Sequence, residues 1–295
     1  MTVRRKSNWY IYFIAFAIAL TFAIVAIFAF SWYLFPEDSS TTGLTPSNGG
    51  NEVFRPTAAD SFNMMTMLSD SASDSPDLFV MVEYDAVRNR VAFIFLPNGI
   101  SIPTEGRSLP NVYAAQGVNR VISVVNEIVG VQCDSYIKLD RTGFIKLISV
   151  FGNVNYNVLK TIMIRDGSEI ETLNSGTQRL AAESMFRLAM LAQYEEGESY
   201  RFNCTGQLFA DLINQNFRII TESLLENYFN IIMENGETNL TENYFNDHKK
   251  ALQNTVEYGN NPAEYYVPYG EYTSDGGFKI AENSIITIRQ KAGIE

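Results

Sequence analysis

The chain has 295 residues, 46% of them apolar and 19% charged, with 20 Phe and 16 Tyr. That is enough bulky apolar material for a sizeable core, and it excludes wholesale disorder. The formal net charge is −11, and Arg4, Arg5 and Lys6 stand ahead of everything else, so the remainder is more acidic still. Such a balance gives no general attraction to phosphate backbones, and no nucleic-acid partner is expected.

Trp9 to Phe35 carries no charge. Within it, Trp9, Tyr10, Trp32 and Tyr33 bracket Ile11 to Ser31, a stretch that as a helix spans about 31 Å against a bilayer core of about 30 Å. The run is too long for a secretory signal and ends in Trp-Tyr-Leu-Phe rather than small residues, so the expectation is an uncleaved, single-pass anchor. Basic residues before it and Glu37 and Asp38 after it place the N-terminus in the cytoplasm. The expected organisation is a cytoplasmic tail over 1–8, a transmembrane anchor over 9–35, a Ser/Thr/Gly/Asn/Pro-rich linker over 36–58 and one extracytoplasmic domain over 59–295. Cys133 and Cys204 are the only cysteines; a disulfide and two separate buried thiols are both open.

In the exterior part, Leu78 to Glu83 and Val91 to Leu96 read as strands separated by turn-prone Asp85 to Asn89, a central hairpin. Val118, Val121, Ile122, Val125, Ile128 and Val129 recur at helical spacing and stop at Gly130. A strand follows at Ser135 to Leu139, then a helix carrying Phe144, Leu147, Ile148 and Phe151 that ends at Gly152, then an alternating strand at Val154 to Val158. After turn-rich Asn174 to Thr177 come helical patterns at Ala181–Ala192, Cys204–Gln215, Ile219–Glu234 and Thr241–Tyr258, and a last strand is expected at Ser284 to Ile288. Interleaved strands and helices predict an α/β class, an α+β sandwich with helices on both sides of a mixed central sheet.

Generic catalytic signatures are missing. The lone His248 completes neither a zinc site nor a nucleophilic triad, and no phosphate-cradling or dinucleotide-binding glycine motif is present. Asp70 and Asp77 flank the start of the first hairpin strand, where two oxygen donors could share a hard cation.

The order of several segments resembles the LytR-CpsA-Psr family. NMMTMLSD resembles the family's opening strand ending in Asp70, DLFVMV its second strand led by Asp77, and VAFIFLP the strand before its Ile-Pro-Arg-Asp motif. SLPNVYAAQG, GVQCDSYIKLDRTGFIKLISVFGNV and SGTQRLAAE are similar to later family landmarks in the same order. The resemblance implies a membrane-anchored envelope enzyme that binds a polyprenyl-pyrophosphate-linked glycan with Mg²⁺ and transfers the glycan phosphate to a peptidoglycan hydroxyl.

Carried onto this chain, Asp70 and Asp77 match the metal-associated aspartates, with Asp77 and Arg201 the expected catalytic pair. The arginine positions depart from the family pattern. Ile-Pro-Arg-Asp reads Leu96-Pro97-Asn98-Gly99, an Arg-x-Arg pair falls on Met190 and Ala192, Asp-x-x-Arg corresponds to Glu198-x-x-Arg201, and the following Arg-Gln reads Gly206-Gln207. Candidate substrate contacts are Arg107, Arg179, Arg187, Asn98 and Gln207, although the arginines read first as structural or solvated, Arg179 and Arg187 as charges on an exposed helical face and Arg107 as a loop residue. One arginine at a phosphoryl-transfer site is worth about 10³–10⁵ in rate, so the expectation is a domain that binds lipid-linked glycan with weak or lost transfer. An active phosphotransferase and a lipid-free envelope adaptor, partnered by an envelope protein, are the alternatives. The adaptor predicts a cleft filled by side chains.

Overall fold

The computed structural model describes residues 54–72, 74–102, 108–274 and 276–294. The tail, the anchor and the linker as far as residue 53 lie outside them, and among the described residues no helix is long and apolar enough to cross a membrane.

Three largely apolar segments, whose side chains point alternately to the two faces, build the middle of the sheet: β1 (Phe62–Leu68), β2 (Leu78–Asp85) and β3 (Arg90–Leu96), paired antiparallel in sequence. On β1, Met65 and Met67 point to one face while Met64, Thr66 and Leu68 point to the other. Helix α1 (Leu109–Gln116) and helix α2 (Val118–Val129) follow, and Gly130 closes α2 in the left-handed conformation at φ 70°. Strand β4 (Ser135–Leu139) then enters parallel to β1, followed by α3 (Arg141–Phe151), whose N-terminus is capped by Asp140 accepting from the Gly143 N–H at 2.8 Å.

A satellite of short ribbons comes next: β5 (Val154–Val158), the hairpin β6 (Ile162–Asp166) with β7 (Glu169–Leu173), and β8 (Gly176–Leu180), which pairs with β5. Helices α4 (Ala182–Met190), α5 (Glu198–Asn216), α6 (Glu222–Asn235) and α7 (Glu242–Tyr258) follow, with β9 (Gly236–Thr238) between the last two. The chain finishes with β10 (Ala263–Tyr266), the β11 (Gly270–Tyr272) and β12 (Phe278–Ile280) ribbon, and α8 (Glu282–Lys291).

The main sheet runs β10-β3-β2-β1-β4-β9 and is mixed, with parallel pairs β10/β3 and β1/β4. One face packs on α1, α2 and α8 through Met65, Phe79, Met81, Ile94, Val121, Val125 and Ile288. The other packs on α3, α4 and α5 through Leu68, Val80, Phe95, Phe144, Phe186 and Phe202. The expected mixed sheet between helical layers is therefore present. Ser284 to Ile288 is a correction: it is the middle of α8, not a strand, because Ser284 and Ile288, one turn apart, are both fully buried. Cys133 and Cys204 are both buried free thiols.

Candidate functional site

Topology brings four chain ends to one edge of the sheet. Parallel β1 and β4 both leave there, with Leu68 opposite Leu139; β2 starts there, with Leu78 opposite Leu68; and β3 ends there, with Leu96 opposite Phe79. Residues just beyond those ends, Asp70, Asp77, Asn98, Asp140 and Arg141, are thus gathered without any side chain having to reach far. The Asp77 N–H donates to the Leu68 carbonyl at 2.9 Å, and Asn98 Nδ2 donates to the Asp77 carbonyl at 2.8 Å. Both Asp70 and Asp77 are exposed.

Around this pair the cations are committed. Arg141 lies 3.7 Å from Asp70, but its guanidinium donates to Asp166 at 2.5 Å and to Glu183, and stacks over the Phe186 ring. Arg187 pairs with Asp166, Glu169, Glu171 and Glu183 between 2.9 and 3.5 Å. The hydrogen bond from Arg141 holds the Asp166 carboxyl below the usual range. Arg201 is largely buried; its Nη1 reaches the Ala189 and Met190 carbonyls at 3.4 Å, and Nη2 lies 3.8 Å from Glu198. Burial pushes the Arg201 guanidinium down, opposed by Glu198 and Asp77, while burial pushes Glu198 up. The Asn98 N–H donates to Glu198 at 3.4 Å, and Asn98 Oδ1 is buried with no partner.

Of the expected site residues, Asp70, Asp77 and Asn98 lie at strand ends on this edge, and Arg201 adjoins it through Glu198. Arg187 stands one shell back in the carboxylate cluster. Arg179 is exposed on β8 opposite Asn155, and Gln207 is exposed and turned to Asp211 at 2.8 Å, so neither is brought in by any contact. Arg107 lies outside the described residues. Met190 and Ala192 are buried in the core, and Gly206 has no room for a side chain, because a Cβ there meets Tyr265 Cδ2 at 2.4 Å. Sequence reasoning missed Arg141 and Lys138. Both flank the end of β4, a signal readable once β4 is set parallel to β1. Lys138 is 5% exposed and donates to the Ala72 carbonyl at 2.9 Å, pinning the loop between the two aspartates.

Asp70 and Asp77 each expose carboxylate oxygens of the hard-donor type that Mg²⁺ takes, and among the described residues no group of three His, Cys, Asp or Glu is arranged to hold a metal.

Behind this edge an apolar cavity of about 290 Å³ follows the sheet face. On β1 it is lined by Phe62, Met64, Thr66 and Leu68, six residue steps or roughly 20 Å at ~3.3 Å each. Its opposite wall comes from Phe144, Ile148 and Phe151 of α3, Phe209 and Leu212 of α5, Ile232 of α6 and Leu252 of α7. Met64, Val82 and Phe93 stay half-buried in the middle of the sheet because they face this space. Leu68, Leu139 and Phe144 place one end of the cavity beside Asp70 and Asp140.

The family model of the LytR_cpsA_psr family matches residues 49–273. No curated relative matches the sequence. Among solved structures, a candidate transcription regulator from Eubacterium siraeum aligns at TM-score 0.77 and 21% identity, covering 86% of this chain and 100% of its own. Bacillus subtilis TagV aligns at TM-score 0.65 and 15% identity, covering 80% and 98%. TagT bound to LI-WTA aligns at TM-score 0.60 and 14% identity, covering 82% and 94%. At these identities the likeness is one of fold.

Proposed function

The chain belongs to the LytR_cpsA_psr family, and we propose that it is a membrane-anchored extracytoplasmic protein that holds a polyprenyl-(pyro)phosphate-linked glycan by its lipid, with transfer to peptidoglycan weakened or lost. The observation that carries this reading is the roughly 20 Å apolar cavity opening beside Asp70 and Asp77. A lipid-free adaptor gains nothing from leaving Met64, Val82 and Phe93 unpacked, since apolar surface left open costs about 25 cal/mol per Å². A relative of the same fold, TagT, has been captured with LI-WTA, which supports a ligand of that class.

Weak transfer follows from the electrostatics. Mg²⁺ held by Asp70 and Asp77 would neutralise pyrophosphate oxygens. Arg141, Arg187 and Arg201 would have to leave carboxylates or carbonyls to assist, and Asn98, Gly99, Met190 and Ala192 supply no charge. Asn98 and Glu198 would orient the head group rather than stabilise it.

The second reading, an active phosphotransferase, is favoured by Arg141 at 3.7 Å from Asp70 and by Arg201 within the field of Asp77. The full-length chain, offered a polyprenyl-pyrophosphate glycan, Mg²⁺ and peptidoglycan, separates the two. Binding without transfer, unchanged in Asp77→Ala, is the expected result. Turnover that disappears in Asp77→Ala establishes the second reading, and absence of lipid binding overturns both.

A further inference from the structure

The β6–β7 hairpin stands at the head end of the domain: Asp166, which ends β6, accepts from Arg141 at 2.5 Å, and Arg141 lies 3.7 Å from Asp70. The two strands form a ribbon of their own, and their register assigns its faces. Ile162 lies opposite Leu173, Ile164 opposite Glu171 and Asp166 opposite Glu169, whereas Met163 lies opposite Thr172 and Arg165 opposite Ile170. The first set is the inner face. Its Ile162, Ile164 and Leu173 are buried in the core, and its Asp166, Glu169 and Glu171 reach the guanidiniums of Arg141 and Arg187. The second set is the outer face, and all four of its residues are exposed, Met163 at 71% and Ile170 at 57%.

Single exposed apolar side chains are ordinary; the sorting of charge here is not. The chain carries 33 acidic against 22 basic residues, yet all three acids of this ribbon lie on the inner face and the one charge on the outer face is Arg165. Unlike Arg141 and Arg187, Arg165 has no carboxylate partner among the described residues. The connection into β6 adds Leu159, exposed at 68%; its Lys160 is paired with Glu196, and the Ser175 N–H donating to Thr161 Oγ1 at 3.1 Å ties it to the end of β7.

A face a few residues across falls far short of the ~800 Å² a side that a stable protein interface buries, so neither a second copy nor another folded protein is its natural occupant. A bilayer surface asks for less. Apolar side chains enter the acyl boundary, a guanidinium stays among the phosphates, and anionic lipid favours a face without acids. Weak docking is sufficient for a chain already held at a membrane, because tethering makes the contact intramolecular.

We propose that the outer face of the β6–β7 hairpin docks on an anionic bilayer surface, with Met163 and Ile170 in the acyl boundary and Arg165 on lipid phosphates. The inference rests on the membrane-anchored reading and adds an orientation to it. The edge carrying Asp70 and Asp77 is turned toward the membrane, so that a lipid-linked ligand enters the apolar cavity without its tail crossing water.

The full-length chain in nanodiscs of phosphatidylcholine, with and without phosphatidylglycerol, tests this. A bimane label is placed on the outer face through Thr172→Cys, or at the opposite end of the sheet through Val87→Cys in the β2–β3 turn; the native Cys133 and Cys204 are both buried. With phosphatidylglycerol present, a lipid carrying a nitroxide near its head group is expected to quench the label at 172 at least about threefold more than the label at 87. That excess falls by about half or more without phosphatidylglycerol, at high salt, in Arg165→Glu, and in Met163→Ser with Ile170→Ser. Lipid composition and salt are varied with the hairpin otherwise unaltered, so a variant that fails to fold leaves the test standing. Equal quenching at the two sites, or quenching at 172 indifferent to phosphatidylglycerol and salt, overturns the proposal and leaves the anchored reading intact. A chain that does not copurify with the discs defeats the anchored reading and this inference with it.

Discussion

Val82 sits on the central strand β2, opposite Met64 and Phe93, with all three lining the apolar cavity. Replacing it by Phe places a ring in that space. The cavity volume of about 290 Å³ exceeds the ~150 Å³ in which a benzene-sized guest is accommodated, so the ring fits without forcing neighbouring rotamers. Filling about 50 Å³ at ~24 cal/mol per Å³ returns about 1 kcal/mol, from which a few tenths are lost to freezing the ring. The expected outcome is a denaturation midpoint raised by roughly 0.5–1 kcal/mol in free energy, or a few degrees in Tm. Polyprenyl phosphate binding, followed by tryptophan-independent means such as a tritiated or fluorescent lipid, falls at least tenfold in the same variant. The two readouts move in opposite directions because the stabilising ring occupies the proposed seat of the lipid. A more stable variant with unchanged lipid affinity refutes the assignment of the cavity. A destabilised variant refutes the claim that the space is open.

Three other outcomes are expected. The double substitution Asn98→Arg with Gly99→Asp, where a Cβ on Gly99 meets nothing within 4 Å, raises glycan-phosphate transfer at least tenfold in a radiolabelled assay; no gain would mean that missing charge is not what limits transfer. Arg141→Met lowers stability by roughly 1–2 kcal/mol near neutral pH, by loss of charge-assisted hydrogen bonds to Asp166 and Glu183. The sign of its pH dependence is fixed by Asp166, whose folded value is depressed: its contribution exists above the unfolded value and disappears as pH falls through the folded one. Urea midpoints between about pH 5 and pH 3 therefore drop less in Arg141→Met than in the parent. Gly206→Ala loses roughly 1–3 kcal/mol in urea unfolding, since the new methyl sits 2.4–2.9 Å from the ring and Cβ of Tyr265, whose strand cannot retreat.

Much of the fold was legible because its segments keep one period for long enough. The hairpin, α2 with its glycine stop, and α3 with its Asp cap are all written in local pattern. Ser284 to Ile288 misleads for a physical reason: Ile-Ile-Thr-Ile is β-branched and prefers strand locally, yet burial of Ser284 and Ile288 together against the second core overrides that preference. The site divides in the same way. Asp70, Asp77 and Asn98 sit at strand ends, so topology alone gathers them. Arg187 lies on a helix face whose rotation was not knowable until the β6–β7 hairpin supplied Glu169 and Glu171.

The carboxylate cluster also bears on why the head end and the lipid end are so unequal. Asp166, Glu169 and Glu171 come from the β6–β7 ribbon and Glu183 from the first turn of α4, and together they surround the guanidiniums of Arg141, which lies beside Asp70, and Arg187. An added pyrophosphate must compete with four carboxylates already in place at short range, Glu169 and Glu183 among them well exposed to solvent screening. Without a metal it meets net repulsion there. The apolar cavity faces no such competitor, and each buried methylene is worth about 0.8 kcal/mol. A ligand with a long hydrocarbon tail, as proposed for this cavity, would be held chiefly by the tail, its phosphate at the mouth gaining little. On the proposed reading, that arrangement favours retention over transfer.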